Sequence, residues 1–180
     1  MVKYLNQMPD VFSKKKRSEV MSRIRSRGNK ETEVALARLL RANGIWGWRR
    51  HLEVRIKNAE GRMKRTRVVG KPKNGAHGVT RPSFRVRPDF VFARARLAVF
   101  VDGCFWHGCP RHGTRPKGNA AFWLKKISGN QARDARVNRA LRRAHWRVLR
   151  IWEHDLAVRS ERCVLKIRAA LAAADSGEIL

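Results

Sequence analysis

The chain is short of acid. Its 180 residues hold 14 Asp and Glu against 42 Lys and Arg, for a formal net charge of +28 and a pI near 11.7. So one-sided a surface attracts polyanions, and a domain this basic points to nucleic acid. Long apolar runs are missing too. No stretch of about 18 hydrophobic residues exists to span a bilayer, so a membrane partner is not expected. No signal-peptide pattern opens the chain, which makes the cytoplasm the expected location. Cysteine is scarce: there are three, an odd number with two close together. That speaks against a disulfide framework and for a metal site in a reducing compartment. Ribosomal and nucleoid proteins share such a charge, so charge alone does not imply catalysis.

What is present is enough for a core. Hydrophobic residues make up 43% of the chain, and its length favours one domain carrying an elaboration. Residues 1–17 end in Lys14-Lys15-Lys16-Arg17 and read as a flexible basic arm; residues 18–180 read as the folded domain. Ser18–Ile24 is expected to be a short helix. Asn29 is a candidate N-cap for a longer one, with Glu31 and Glu33 in its first turn and Leu36, Leu39 and Leu40 at helical spacing. Ile45–Val54 reads as a strand, with Trp46 and Trp48 on one core face. Residues of about 55–83 are rich in Lys, Arg and Gly and read as a basic inserted hairpin or loop. Phe84–Phe92 and Leu97–Val101 read as strands joined by a turn at Ala93–Arg96. A loop over 103–118 precedes a helical pattern over Asn119–Ala144, with a possible break at Ser128-Gly129. Trp146–Trp152 is expected to be a strand and Val158–Ala174 a C-terminal helix. There is no internal repeat. The order of elements predicts an α/β fold, a mixed sheet flanked by helices.

The densest chemistry lies in Val99–His112, VFVDGCFWHGCPRH. Cys104, Cys109 and His112 have the compact spacing of structural zinc ligands. A fourth ligand must come from elsewhere. His154, just after the last strand, is the candidate, and His107 is the alternative. Thiolate and imidazole suit zinc better than magnesium. Such an ion would contribute on the order of 10 kcal/mol to ordering the loop. Cys163 falls on an apolar helix stripe and reads as core.

Asp89 follows a proline at the edge of a strand-like run, where a carboxylate can hold Mg²⁺. Asp102 ends the next strand and is a candidate to face it. His107 can act as a general base, since an unperturbed imidazole titrates near neutrality. Glu33 is a candidate supporting carboxylate. Phe105 and Trp106, with Trp123 on the following helix, are candidate wedges between DNA bases, a device that is cheapest at a mismatch. Together these residues imply a metal-dependent nuclease.

The segments MSRIRSRGNKETEVALARLL, RPDFVF, VFVDGCFWHGCPRH, FWLKKISGNQARD and WRVLRIWEHDL resemble, in order, the very short patch repair endonucleases of bacteria. The likeness covers about two-thirds of the chain, and GCFWH is its most specific piece. It implies a restriction-endonuclease-like core with a structural zinc loop, and nicking of one DNA strand beside a T:G mismatch left by deamination of 5-methylcytosine. It further implies Mg²⁺ as the catalytic ion and a functional link to a DNA cytosine methyltransferase. The protein implied is a monomer of the bacterial cytoplasm acting at the nucleoid. Residue by residue, Asp89 takes the place of the magnesium-binding aspartate and Val101 that of a metal-binding backbone carbonyl. His107 stands for the catalytic histidine, and Glu33 for the glutamate near the active site. Cys104, Cys109 and His112 match the zinc loop, and Phe105, Trp106 and Trp123 the aromatics entering the major groove. Met21 matches the arm that reaches the minor groove. Lys126 and Asn130 fall where the mismatched pair is contacted.

Four features depart from the family pattern. His154 stands where a cysteine is usual, and Cys109-x-x-His112 replaces a His-x-Cys arrangement. Asp102 stands in place of a histidine. The 55–83 insertion has no counterpart, and it favours a restriction-like or homing nuclease acting on paired DNA as the alternative reading. A non-catalytic zinc DNA-binding protein is the second alternative, although it would have no need of Asp89 and His107.

Overall fold

The computed structural model describes residues 32–57, 83–114, 116 and 118–175. The basic arm, the Ser18–Ile24 helix, Asn29, Met21 and most of the insertion lie outside the described residues.

Helix α1 (Glu33–Ala42) buries Leu36, Ala37 and Leu40 along one stripe, and its ends carry Glu33 and Arg41, the charges each end of the helix dipole favours. Thr32 occupies the N-capping position and makes no side-chain cap bond. Gly44, at φ +66°, turns the chain out of the helix. The single strand expected over Ile45–Val54 is in fact two. Strand β1 (Trp48–Arg50) ends at His51, whose φ of +53° breaks the extended run, and β2 (Val54–Lys57) joins a different sheet. Trp46 is no core residue: it is 65% exposed, while Trp48 packs edge-on against Phe90 at 5.2 Å.

The run Phe84–Phe92 divides in the same way into β3 (Ser83–Val86) and β4 (Phe90–Phe92). Pro88, which has no N–H to give a ladder, stands between them. Strand β5 (Leu97–Asp102) follows the turn, then α2 (Ala120–Arg143), β6 (Arg147–Trp152), α3 (Glu153–Val158) and α4 (Ser160–Asp175). Helix α2 runs unbroken through Ser128-Gly129. The separate turn of helix at α3 was not expected.

The main sheet has strand order β1-β4-β5-β6; its first two pairings are antiparallel and the last is parallel. It is therefore a mixed sheet flanked by helices, as the order of elements predicts. Alternation along the strands assigns the faces. Phe90, Phe92, Leu97, Val99 and Ile151 pack with α1 and α4 residues such as Leu36, Leu40 and Ile167. Val91 and Ala98 point the other way and join Leu141 of α2 with Val54, Ile56 and Val86 of the β2–β3 ladder. Full burial of each large side chain contributes roughly 1.5–3 kcal/mol. Cys163 is buried within the first cluster. The insertion thus leaves and re-enters the domain through one antiparallel ladder, with Val54 opposite Val86. Among the described residues no helix is long and apolar enough to cross a membrane.

Candidate active site and metal centres

The C-terminal end of β5 organises everything that follows. The Val101 N–H donates to Asp89 Oδ2 at 2.7 Å, so the carboxylate just ahead of β4 is tied to the neighbouring strand. Glu33 of α1 and His51 after β1 converge on the same place. The candidate ligand atoms of Glu33, His51 and Asp89 all lie within 4.8 Å of one another. Trans ligands around a cation with bonds of about 2.1 Å lie about 4.2 Å apart, so the cluster is close to the size that a small divalent ion needs. Its donors are two carboxylates and one imidazole. Burial pushes the Asp89 carboxyl up to about 6, the Val101 N–H works against that rise, and the charge of Glu33 adds to it. Glu33 is itself buried, with Oε2 2.6 Å from Arg50 Nη2 and 2.9 Å from His51 Nε2.

A second polar group lies one residue along. Asp102 is buried on the α2 side of the sheet, and it does not pair with Asp89 as its place in sequence suggested. Arg150 of β6 grips it with two hydrogen bonds, Nε to Oδ2 at 2.6 Å and Nη2 to Oδ1 at 2.7 Å. The same guanidinium reaches Asp134 Oδ1 at 3.1 Å and donates to Asn138 Oδ1 at 3.1 Å, both on α2. Asp134 Oδ2 lies 2.5 Å from His107 Nδ1, and Asp102 Oδ1 lies 3.7 Å from that nitrogen. A carboxylate acceptor at that distance fixes a proton on Nδ1, so that in the neutral ring Nε2 carries the lone pair. Burial tends to raise the Asp134 carboxyl, yet the His107 hydrogen bond and the charges of His107, Arg150 and Arg133 hold it below the usual carboxylate range. His107 and Asp134 form a dyad suited to accept a proton from water.

The loop after β5 brings its sulfur and nitrogen donors together. Cys104, Cys109, His112 and His154 present ligand atoms within 4.8 Å of one another. Cys104 Sγ lies 3.0 Å from His154 Nδ1, and Cys109 Sγ lies 3.7 Å from the same atom and 4.0 Å from His112 Nδ1. A zinc tetrahedron with bonds near 2.3 Å to sulfur and 2.0 Å to nitrogen has S···N edges of about 3.5 Å, so the quartet fits one. Burial and the neighbouring Cys109 push the Cys104 thiol up to about 12; a bound cation is the kind of neighbour that reverses such a shift. Glu153, from α3, accepts the Cys104 N–H at 2.7 Å and anchors the loop.

The aromatics expected to meet DNA form one cluster. Phe105 packs edge-on against Trp106 and against Trp123, both at 5.1 Å. Trp123 is buried, whereas its neighbours Phe122 and Leu124 are 53% and 65% exposed. Asn130 donates to the Trp106 carbonyl at 2.8 Å and Gln131 to the His107 carbonyl at 3.3 Å, so α2 braces the loop from beneath. Lys126 is exposed on that helix. His51, Asp134, Arg150, Phe122 and Glu153 were not foreseen. Asp134 did carry a signal, as the lone acid in α2.

Comparison with known proteins places the chain. A family model described as DNA mismatch endonuclease Vsr matches residues 76–112. The type II nicking enzyme V.NmeAIP of Neisseria meningitidis serogroup A is 32% identical over 151 residues, 83% of this chain and 85% of that protein. The type II nicking enzyme V.NaeI of Lentzea aerocolonigenes is 52% identical over 71 residues, 39% of this chain and 43% of its own length. The DNA mismatch endonuclease Vsr of Escherichia coli is 41% identical over 76 residues, 42% of this chain and 49% of that protein. With V.NaeI and the Escherichia coli enzyme, the match therefore spans about half the relative's length. The chain belongs to the Vsr family of DNA endonucleases.

Proposed function

We propose that this protein is a metal-dependent DNA endonuclease that nicks one strand beside a T:G mismatch, as in very short patch repair after 5-methylcytosine deamination. The observation that carries the reading is the end of β5. Val101 fixes Asp89 there, and the adjacent Asp102 lies beside the His107–Asp134 dyad. A carboxylate for a cation and a base for water are thus held by consecutive residues.

Asp89, Glu33 and the Val101 carbonyl would hold Mg²⁺. A divalent ion there supplies Lewis-acid polarisation of a phosphodiester and eases ionisation of water. The His107 ring, oriented by Asp134, takes the proton from the attacking water. Arg150 holds Asp134 and Asp102 in place. Phe105 and Trp106 stack on opened base steps, where each stacked base is worth about 1–3 kcal/mol, and Trp123, expected among them but buried, backs Phe105 from beneath. By the family resemblance, Lys126 and Asn130 would contact the mismatched pair and Met21 would serve minor-groove contact. Cys104, Cys109, His112 and His154 would hold a structural Zn²⁺, which would staple the loop. The proposal extends to a restriction-endonuclease-like core over residues 18–180, with a basic insertion at about 55–83 and a flexible basic arm at 1–17. It also includes a monomeric state, cytoplasmic action at the nucleoid, and a functional link to a DNA cytosine methyltransferase.

Action on fully paired DNA is the second reading, favoured by the β2–β3 ladder that carries the insertion. Labelled duplexes bearing each mismatch, and a paired control, separate the two in Mg²⁺, with Asp89→Ala as the blank. Nicking confined to T:G is expected. Cutting of the paired control would replace the repair reading, and no cutting of any duplex would leave a zinc-stapled DNA-binding protein.

A further inference from the structure

We propose that His51 is a protein ligand of the active-site cation, and that the resulting imidazole–carboxylate site takes a first-row transition-metal ion in preference to Mg²⁺. The inference rests on the reading of Asp89 as a metal ligand.

Three separate pieces of chain meet at this point: α1 supplies Glu33, the residue after β1 supplies His51, and the residue before β4 supplies Asp89. His51 is held there by its backbone. Its N–H donates to the Asp89 carbonyl at 3.3 Å, and its φ of +53° lies in the left-handed region. That conformation is uncommon outside glycine, although histidine and asparagine adopt it more readily than most residues. A β1 that simply ran on would not turn the imidazole toward Glu33.

Nε2 stands at the spacing of a neighbouring ligand, since cis ligands with bonds of about 2.1 Å lie about 3.0 Å apart. It lies 2.9 Å from Glu33 Oε2 and 3.3 Å from Arg50 Nη2, while that guanidinium nitrogen also sits 2.6 Å from Glu33 Oε2. A contact of 2.9 Å to a carboxylate oxygen places the ring proton on Nε2, and a metal-ligating imidazole gives up that proton to make way for the ion. Glu33 Oε2 thus accepts from both His51 and Arg50, and a divalent ion in place of the Nε2 proton would join the imidazole and that carboxylate with Asp89. Mg²⁺ favours all-oxygen, largely aqueous coordination, whereas one imidazole among carboxylates raises affinity for transition metals.

Mn²⁺ added to the full-length, zinc-loaded protein is the probe, read by its electron paramagnetic resonance. Wild type and His107→Gln should both show ¹⁴N modulation from a directly bound imidazole, and His51→Asn should lose it. Asparagine tolerates the left-handed backbone and is too short to ligate, so the fold should survive; circular dichroism and melting check that. His51→Asn should weaken Mn²⁺ binding at least about 10-fold and change Mg²⁺ binding far less. Mn²⁺ bound without imidazole nitrogen, or a nitrogen signal that persists in His51→Asn, would overturn the role of His51 alone. Mn²⁺ binding unaffected by Asp89→Asn would overturn the underlying metal site as well.

Discussion

Asp89 bears a cost that a role as metal ligand would explain. Its folded-state carboxyl is raised from 3.8 to about 6, so between roughly pH 4 and 6 the folded protein holds a proton that the unfolded chain releases. The native state binds more protons there, and stability falls as pH rises through that window. The penalty above pH 6 is at most about 3 kcal/mol. Asp89→Asn should abolish nicking, and at pH 7.5 in Mg²⁺-free, zinc-replete buffer it should be more stable than wild type, with the difference vanishing near pH 4. Urea melts across that range check this; parallel curves would remove the assignment. His107 makes the complementary case. Asp134→Asn would present its amide to Nδ1 in place of an acceptor and favour the wrong tautomer, so kcat should drop by about 10²–10⁴ with little change in KM. Single-turnover nicking at saturating enzyme measures it.

Cys104, Cys109, His112, His107 and Asp89 were legible as chemistry because short-range spacing and residue type suffice for them. Asp134 was not, because a carboxylate in a helix full of arginines reads equally well as a surface ion pair. Only the contact with His107, 27 residues away in the chain, gives it a role. His51 was hidden differently. It sits in an apolar-basic run that reads as one strand, and no glycine or proline announces the left-handed turn that ends it.

At the level of elements, the errors share a cause. Ile45–Val54 and Phe84–Phe92 each have the composition of a single strand, and each is cut where the chain changes sheets. Sheet membership is a long-range property that local pattern does not carry. Helix α2 errs the other way. Ser128-Gly129 weakens local propensity, but burial of Trp123 and Leu141 near its two ends carries the helix across. A methyl group at Gly129 would meet nothing within 4 Å. Gly129→Ala should therefore stabilise the protein by about 0.5–1 kcal/mol with nicking unchanged, as thermal melts would reveal. Gly108→Ala should do the reverse. Gly108 has φ +62°, and a Cβ there would lie 2.5 Å from Gln131 Nε2 and 3.0 Å from Ile127 Cγ2. Gln131 would have to swing off the His107 carbonyl and the methyl would strain a backbone at positive φ, with losses in both melting temperature and kcat.

Over the whole molecule, the charge of +28 sets how DNA is held. Each phosphate neutralised contributes about −0.9 to the slope of log K against log salt. The insertion carries Arg62, Lys64, Arg65, Arg67, Lys71, Lys73 and Arg81. Replacing 58–82 by a short turn between β2 and β3 should make that slope shallower and weaken binding, while cleavage of already bound substrate keeps its rate. Filter binding over a salt series, beside single-turnover nicking, separates the two effects. An unchanged slope would mean that the insertion does not touch the backbone of DNA.

The parallel pairing of β5 with β6 also imposes an order on synthesis. Leu97 is opposite Arg147 and Asp102 opposite Trp152, so β5 waits for the whole of α2 and β6 to be made before it gains this neighbour. Arg150 and His154 arrive with that last stretch. A nascent chain stalled on the ribosome before β6 would hold Asp89, His107 and the aromatics but lack the clamp on Asp102 and the fourth cysteine-loop partner. Translation therefore completes this cluster of side chains only once β6 and His154 have been made, and a copy stalled earlier holds it in pieces.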